Sequence, residues 1–308
     1  MADNDWAETP IAAAARHAAE VRNPSGLTLP RPAQPRFVTI ANQKGGVGKT
    51  TTTVNFAVAL ALHGLKVLVI DMDPQGNAST ALGVEHSSGT TSVYELLLGE
   101  VTPEEAAQPS TESPNIFCIP ATIDLAGSEI ELVGMERREH RLADAISDEF
   151  VEEHGYDYVI VDCPPSLGLL TINAMTAGRE LIIPIQCEYY ALEGVSQLLT
   201  NVNLIRQGLN AQLHISGILL TMYDGRTKLS DQVAREVQGF FQDAVLRTKI
   251  PRSVKVAEAP SYGQTIMTYD PGSTGAMAYM RAAKEFHTRG DYLPNDESGV
   301  VGVAPQES

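Results

Sequence analysis

The chain has 308 residues, 43% of them hydrophobic, three cysteines and a formal net charge of −16. That is enough for one large α/β domain with short appendages, and no apolar run reaches the length needed to cross a bilayer. The acidic balance, taken alone, argues against a nucleic-acid partner; Cys118, Cys163 and Cys187 lack the spacing of a metal site or a disulfide framework, which fits a reducing cytoplasm, and the start lacks the pattern of a secretory leader.

In chain order, residues 1–35 read as a disordered arm. An alanine-rich patch from Ile11 to Ala19 supports one transient helix, and Pro24, Pro30, Pro32 and Pro35 follow. The body, 36–290, begins with a short β-rich run from Arg36 to Asn42, a glycine loop, and a helical stretch from Thr50 to His63. A nearly all-apolar run from Lys66 to Asp71 closes a βαβ unit with a buried parallel pair. Further strands are expected at Ile116 to Pro120, Tyr158 to Asp162, Leu181 to Gln186, Ile215 to Met222 and Val245 to Ile250. Helices are expected at Arg138 to His154, Leu192 to Leu209, Ser230 to Phe241 and Thr274 to Arg289. Strand alternating with helix implies an α/β fold: a doubly wound, mostly parallel sheet with helices on both faces. The polar end, 291–308, reads as a disordered tail.

The segment Asn42-Gln-Lys-Gly-Gly-Val-Gly-Lys-Thr-Thr51 lies between a strand and a helix. Gly45, Gly46 and Gly48 let the backbone curl so that the N–H groups of Lys44 to Thr51, with Val47 among them, cradle a polyanion at the helix start. This predicts a P-loop site for ATP and Mg²⁺. Lys49 reaches the β- and γ-phosphates, and Thr50 offers its hydroxyl to Mg²⁺. The standard loop has glycine where this chain has Gln43, and Lys44 is additional. A flexible glycine turn with incidental lysines is the bland alternative, and the strand–helix context argues against it.

Two apolar strands end in acid. Asp71-Met-Asp-Pro-Gln-Gly-Asn77 lies at the carboxyl end of a parallel strand, facing the ligand crevice. Asp73 is placed there to orient the attacking water or accept its proton. Asp71 supports the loop or the Mg²⁺ shell. Asp162, ending the run from Tyr158, is the natural Walker B residue, holding Mg²⁺ through water. Pro164 and Pro165 stiffen the segment that follows, which can respond to the γ-phosphate.

The pattern Lys-Gly-Gly-x-Gly-Lys-Thr resembles that of the deviant Walker A ATPases. The strings at 71–77, 162–168 (Asp-Cys-Pro-Pro-Ser-Leu-Gly), 186–194 (Gln-Cys-Glu-Tyr-Tyr-Ala-Leu-Glu-Gly) and 250–261 look like those of the ParA/Soj chromosome-partitioning ATPases. That resemblance runs from about Phe37 to Phe286. It implies slow, partner-stimulated ATP hydrolysis on the nucleoid, in the cytoplasm. ATP closes a homodimer, the dimer binds double-stranded DNA without sequence preference, and a ParB-type centromere-binding protein stimulates hydrolysis and release. It also implies that Lys44 crosses to the partner's nucleotide, as an arginine finger does. The adenine contacts it implies fall on Pro251 and Ser253, where the family often has Asn in place of Ser253.

Cations are concentrated in one region. Ala244 to Ala257 holds Arg247, Lys249, Arg252 and Lys255 with no acidic residue, and Arg226 and Lys228 follow an earlier strand. Charge alone reads as a solvated face; the resemblance assigns DNA contacts to Arg226 and Lys255, with Arg252 beside them. A MinD-like membrane-cycling ATPase is the rival reading, but it needs a basic amphipathic terminal helix, and Gly290 to Ser298 is acidic and broken by proline. A nitrogenase-type reductase needs a second bridging cysteine near Cys163. A nucleotide-gated scaffold without turnover is the third alternative.

Overall fold

The computed structural model describes residues 9–22 and 28–290. Within it, a seven-stranded sheet is built from β1 (Arg36–Ile40), β2 (Val67–Asp71), β3 (Gln108–Pro109), β4 (Ile116–Ile119), β5 (Tyr158–Asp162), β6 (Glu180–Gln186) and β7 (His214–Thr221). Its order is β3-β4-β2-β5-β1-β6-β7. Every pairing is parallel except the short antiparallel contact of β3 with β4.

Alternate residues of the buried strands feed two separate cores, because successive side chains leave a strand on opposite faces. Leu68, Ile70, Val159 and Val161 pack on one face with Leu170 and Leu198 from the helices Leu169–Ala177 and Glu193–Gly208. Val67, Val69, Tyr158 and Ile160 pack on the other with Phe56, Leu60, Tyr279 and Phe286. Those four come from the helices Lys49–Leu62 and Thr274–Arg289. The first of these two helices is buried along nearly its whole length, as an all-round apolar helix must be. It is therefore a fixed platform for the loop that precedes it.

Three expectations differ from the structure. Val245 to Ile250 is not a strand but an irregular run beside β7. Leu246 and Ile250 donate to Ile218 O and Leu220 O, while the N–H groups of Arg247 and Thr248 turn to the Glu285 carboxylate at 2.7 and 3.0 Å. Side-chain acceptors thus replace the ladder. The helix expected at Arg138 to His154 is broken into Arg141–Ala145 and Asp148–Glu153, because Ser147 leaves the helical path and its Oγ caps the second piece at Phe150 N. In the predicted arm, the described residues are structured. Pro10–Arg22 is a helix whose Val21 is buried in the core, and Arg31 pairs with Asp157 at 2.6 Å. Residues 1–8 and 23–27, and the predicted tail at 291–308, lie outside the described residues.

Candidate active site

The carboxyl ends of β1, β2 and β5 converge. Ile40 is in register with Asp162, and Asp71 is in register with Asp162 on its other side. The glycine loop springs from β1 directly above them. Gly46 and Gly48 both take left-handed backbone, with φ of 74° and 89°, a conformation that glycine adopts without a Cβ penalty. Gly48 is the N-cap of the helix Lys49–Leu62 and no side chain caps that end. The first N–H groups of the helix therefore point into the loop as donors for an anion. A side chain built at Gly45 or Gly46 would meet nothing within 4 Å, so the loop is bordered by open space at these two positions.

Lys49 is buried and its amine lies 3.4 Å from Lys44 O. Burial lowers its pKa, and the opposing influence comes from Asp162, Cys163 and Asp73. All three groups therefore stand close enough to Lys49 to act on it. Thr50 Oγ1 donates to Asp162 Oδ2 at 2.7 Å, and Thr53 Oγ1 lies 2.9 Å from Asp162 Oδ1. Burial, then the neighbouring Asp71 charge, push the Asp162 carboxyl well above its ordinary value. Asp71 is likewise pushed up, to about 6, chiefly by burial.

The Asp162 carboxylate and the Thr50 hydroxyl, beside an anion-directed loop, form a pair of hard oxygen donors. Thr50 and Asp162 fit Mg²⁺, which takes few protein ligands and keeps water and phosphate oxygens around it. No cluster of three or more His, Cys, Asp or Glu residues able to hold a metal occurs among the described residues.

The other expected residues fall around this centre. Asp73 is buried at the lip of β2, with Oδ1 accepting from Gln75 N at 3.1 Å. Asp71 is committed inward. It accepts from Asp73 N, from Ser79 N at 2.9 Å and from Ser79 Oγ at 2.7 Å, so its oxygens hold the turn that follows β2. Thr51 closes the first helical turn and its carbonyl accepts from Asn55 Nδ2. Lys44 Nζ donates to Glu188 Oε1 at 2.5 Å. Pro251 bridges to Tyr223 beyond the end of β7, and Ser253 begins the helix Val254–Glu258 without capping it. Arg226 is exposed and binds Asp224 through two nitrogens, at 2.9 and 2.8 Å. That contact holds the Asp224 carboxyl down to about 2. Arg252 is exposed near the same carboxylate, and Lys255 is paired with Asp270. These three cations thus lie beside two acidic residues, Asp224 and Asp270.

Sequence reasoning passed over three residues that shape the loop. Thr221, at the end of β7, donates to Val47 O at 2.8 Å, and its Cγ2 lies 3.7 Å from where a Cβ on Gly48 would stand. Asn42 ties the loop to β6 through Pro184 O at 2.7 Å and accepts from Lys44 N. Glu188 holds Lys44. Glu188 lay within a quoted motif, but its pairing depends on β6 lying next to β1.

Residues 35–215 match the family model of an AAA domain. The sporulation initiation inhibitor protein Soj of Bacillus subtilis is 52% identical over 255 residues, covering 83% of this chain and 99% of that protein. The chromosome partitioning protein ParA of Caulobacter vibrioides is 49% identical, covering 82% and 94%. A crystal structure described as cobyrinic acid a,c-diamide synthase from Mycobacterium smegmatis, with a bound ATP analogue and magnesium, is 37% identical. It has a TM-score of 0.72 and covers 84% of this chain and 96% of that one. With about half of the aligned residues shared over nearly the full length of both Soj and ParA, the chain belongs to the ParA/Soj family of chromosome-partitioning ATPases.

Proposed function

We propose that this ATPase drives chromosome partition through an ATP-gated homodimer that holds duplex DNA without reading its sequence. A ParB-type centromere-bound partner triggers hydrolysis and release. The observation that carries the reading is the division of labour between the two lysines. Lys49 is buried in its own loop, whereas Lys44 turns outward to the rim and is held there by Glu188. A cation at the rim can serve a phosphate brought by a second copy of the chain. A charge supplied in trans in this way is worth about 10³–10⁵ in rate, by analogy with arginine fingers, or roughly 4–7 kcal/mol of barrier.

In this reading the amides of Gly45 to Thr51 and the Lys49 amine bind the β- and γ-phosphates of ATP. Thr50, and Asp162 through water, hold Mg²⁺, which neutralises charge on the phosphate oxygens when bound. Asp73 orients the attacking water or accepts its proton, and Pro251 and Ser253 flank the adenine. The sequence similarity to a relative named as a chromosome partitioning protein, at 49% against 37% for the diamide synthase structure, favours chromosome partition over amide synthesis.

Arg226, Arg252 and Lys255 face DNA phosphates. The surface ion pairs of Arg226 with Asp224 and of Lys255 with Asp270 are worth only about 0–1 kcal/mol each, so a polyanion can displace the carboxylates. About four cations per protomer on phosphates at this face contribute about −7 to the slope of the dimer's log K against log salt. The protein then works in the cytoplasm on the nucleoid. Among the described residues no helix is long and apolar enough to cross a membrane.

The test compares retention on duplex DNA for the parent chain and Lys44→Ala, each with ATP and with ADP. Only the parent with ATP is expected to bind. Retention of Lys44→Ala with ATP equal to that of the parent would refute the shared-lysine dimer. Arg226→Glu is expected to weaken DNA retention while ATP affinity stays constant, and unchanged retention removes Arg226 from the surface.

A further inference from the structure

A second basic surface lies away from Arg226 and Lys255. Where the run beside β7 meets the helix Thr274–Arg289, a groove of about 500 Å³ is lined by Arg247, Arg281, Lys284, Glu285, Thr288 and Arg289. Glu285 is the one acid among these, and it is fully engaged. It accepts from Arg247 N, Thr248 N, Thr248 Oγ1 and Arg289 Nη2. Arg289 is fixed as well, donating to Asp243 O at 2.8 Å and Val245 O at 2.9 Å. The Arg289–Glu285 pair is therefore a neutral floor.

The remaining three cations are unopposed. Arg247, Arg281 and Lys284 are exposed, and their side chains make no hydrogen bond or ion pair among the described residues. Arg281 and Lys284 lie three residues apart on one helix, so they share a face. This chain carries 38 acidic and 22 basic residues. Three like charges kept together without a carboxylate repel one another, and a polyanion offsets that repulsion. Arg226 and Lys255, the cations implied by resemblance, already have carboxylate partners.

We propose that Arg247, Arg281 and Lys284 form a second contact surface for the phosphate backbone of duplex DNA. The proposal rests on the DNA-binding dimer above and extends its footprint along the sheet edge. Arg247 and Arg252 sit on the same segment outside β7, up to about 17 Å apart at roughly 3.3 Å per extended residue. A duplex lying along the edge covers that distance in about half a helical turn. The groove offers no planar stack or fixed acceptor set for a base edge, so its contacts carry no sequence information.

The test is the salt dependence of ATP-state binding to a random-sequence duplex by the parent, the triple variant Arg247→Gln/Arg281→Gln/Lys284→Gln, and Arg226→Gln/Lys255→Gln. The triple variant is expected to keep its ATP affinity and to bind DNA at least about tenfold more weakly. Its log K against log salt slope should be shallower by about five for the dimer, from three phosphate contacts per protomer. The corresponding Arg→Lys and Lys→Arg changes should restore the slope. A triple variant with the parent's slope and affinity overturns the proposal. If the parent itself fails to bind DNA with ATP, the dimer reading fails first and this one with it. If the triple variant binds DNA normally but loses binding to phosphatidylglycerol vesicles that the parent retains, the surface serves lipid and the proposal is overturned. Should the triple variant not fold, Arg281→Gln and Lys284→Gln, each on the exposed helix face, must each reduce the dimer's slope by about two.

Discussion

Lys44 and Glu188 form an ion pair at 2.5 Å within one protomer, with both side chains more than a third exposed. Glu188 follows β6 and Lys44 follows β1, two neighbouring strands of the sheet. The pair thus links the phosphate loop to the next strand's exit. If Lys44 serves the partner's nucleotide, it must let go of Glu188 as the two copies close.

An exposed pair of this kind is worth about 0–1 kcal/mol. Two such pairs, one per copy, are given up on closing, so Glu188→Gln is expected to favour ATP-dependent dimerisation by up to about thirtyfold, about fivefold for each copy, read as the monomer–dimer constant in sedimentation. Weaker dimerisation would mean that Glu188 works in the closed pair and not against it. Lys44→Ala is expected to bind ATP and to lose both stable dimers and hydrolysis. An unchanged turnover rate there would end the trans role.

Among the described residues no cation bonds Asp73, and its carboxylate accepts one hydrogen bond, from Gln75 N in the local turn. It is therefore available to a water at the lip of β2. Asp73→Ala is expected to bind ATP normally and hydrolyse it about 10²–10⁴-fold more slowly, the range for a positioned acid or base. Stopped-flow nucleotide binding beside phosphate release separates the two effects. A turnover rate matching the parent would move the role to another group. Lys49→Ala is expected to lose ATP binding itself, by calorimetry.

The centre of the site was legible because its signals are local. Glycines at 45, 46 and 48, and apolar strands that end in Asp71 and Asp162, each declare themselves within a few residues. Buried parallel strands then force those ends to one edge of the sheet. The less legible parts depend on contacts between distant segments. Val245 to Ile250 has the composition of a strand, but Glu285 and Arg289, some forty residues on, take its outward-facing backbone groups. Ser147 breaks a continuous helical pattern because its hydroxyl is worth more as a cap than as a helix-interior residue. The alanine-rich patch lacked a visible partner until the last helix supplied one. Just before that helix, Ala14 O lies 2.6 Å from where a Cβ on Gly272 would stand.

Thr221 is the instructive omission from the site. A threonine at the end of an apolar strand carries no motif, yet its hydroxyl holds Val47 O in the middle of the loop. Thr221→Val keeps the shape and deletes that donor, leaving a buried carbonyl unsatisfied at a cost of about 1–2 kcal/mol. ATP affinity is expected to fall roughly five- to thirtyfold, with the melting temperature of the nucleotide-free protein moving less than that of the ATP-bound form. An unchanged Kd for ATP would show that the loop holds its curl without β7.

Glu285 sets a pH-dependent term in stability. Burial by itself would raise its pKa, but the amides of Arg247 and Thr248, the Thr248 hydroxyl and Arg289 outweigh burial, and the carboxyl is held below its ordinary value of 4.5. A carboxyl depressed in the folded state stabilises the fold above its unfolded pKa, and that contribution is lost as pH falls through the folded value. Glu285→Gln puts an amide nitrogen opposite backbone N–H groups and should cost about 2 kcal/mol at pH 7. The gap in Tm between the parent and Glu285→Gln is expected to be large at pH 7 and to close as the pH is taken below about 4. A gap of constant size across that range would mean that the carboxylate's charge does not hold the run 245–250 in place, and that the side chain acts there only by filling space.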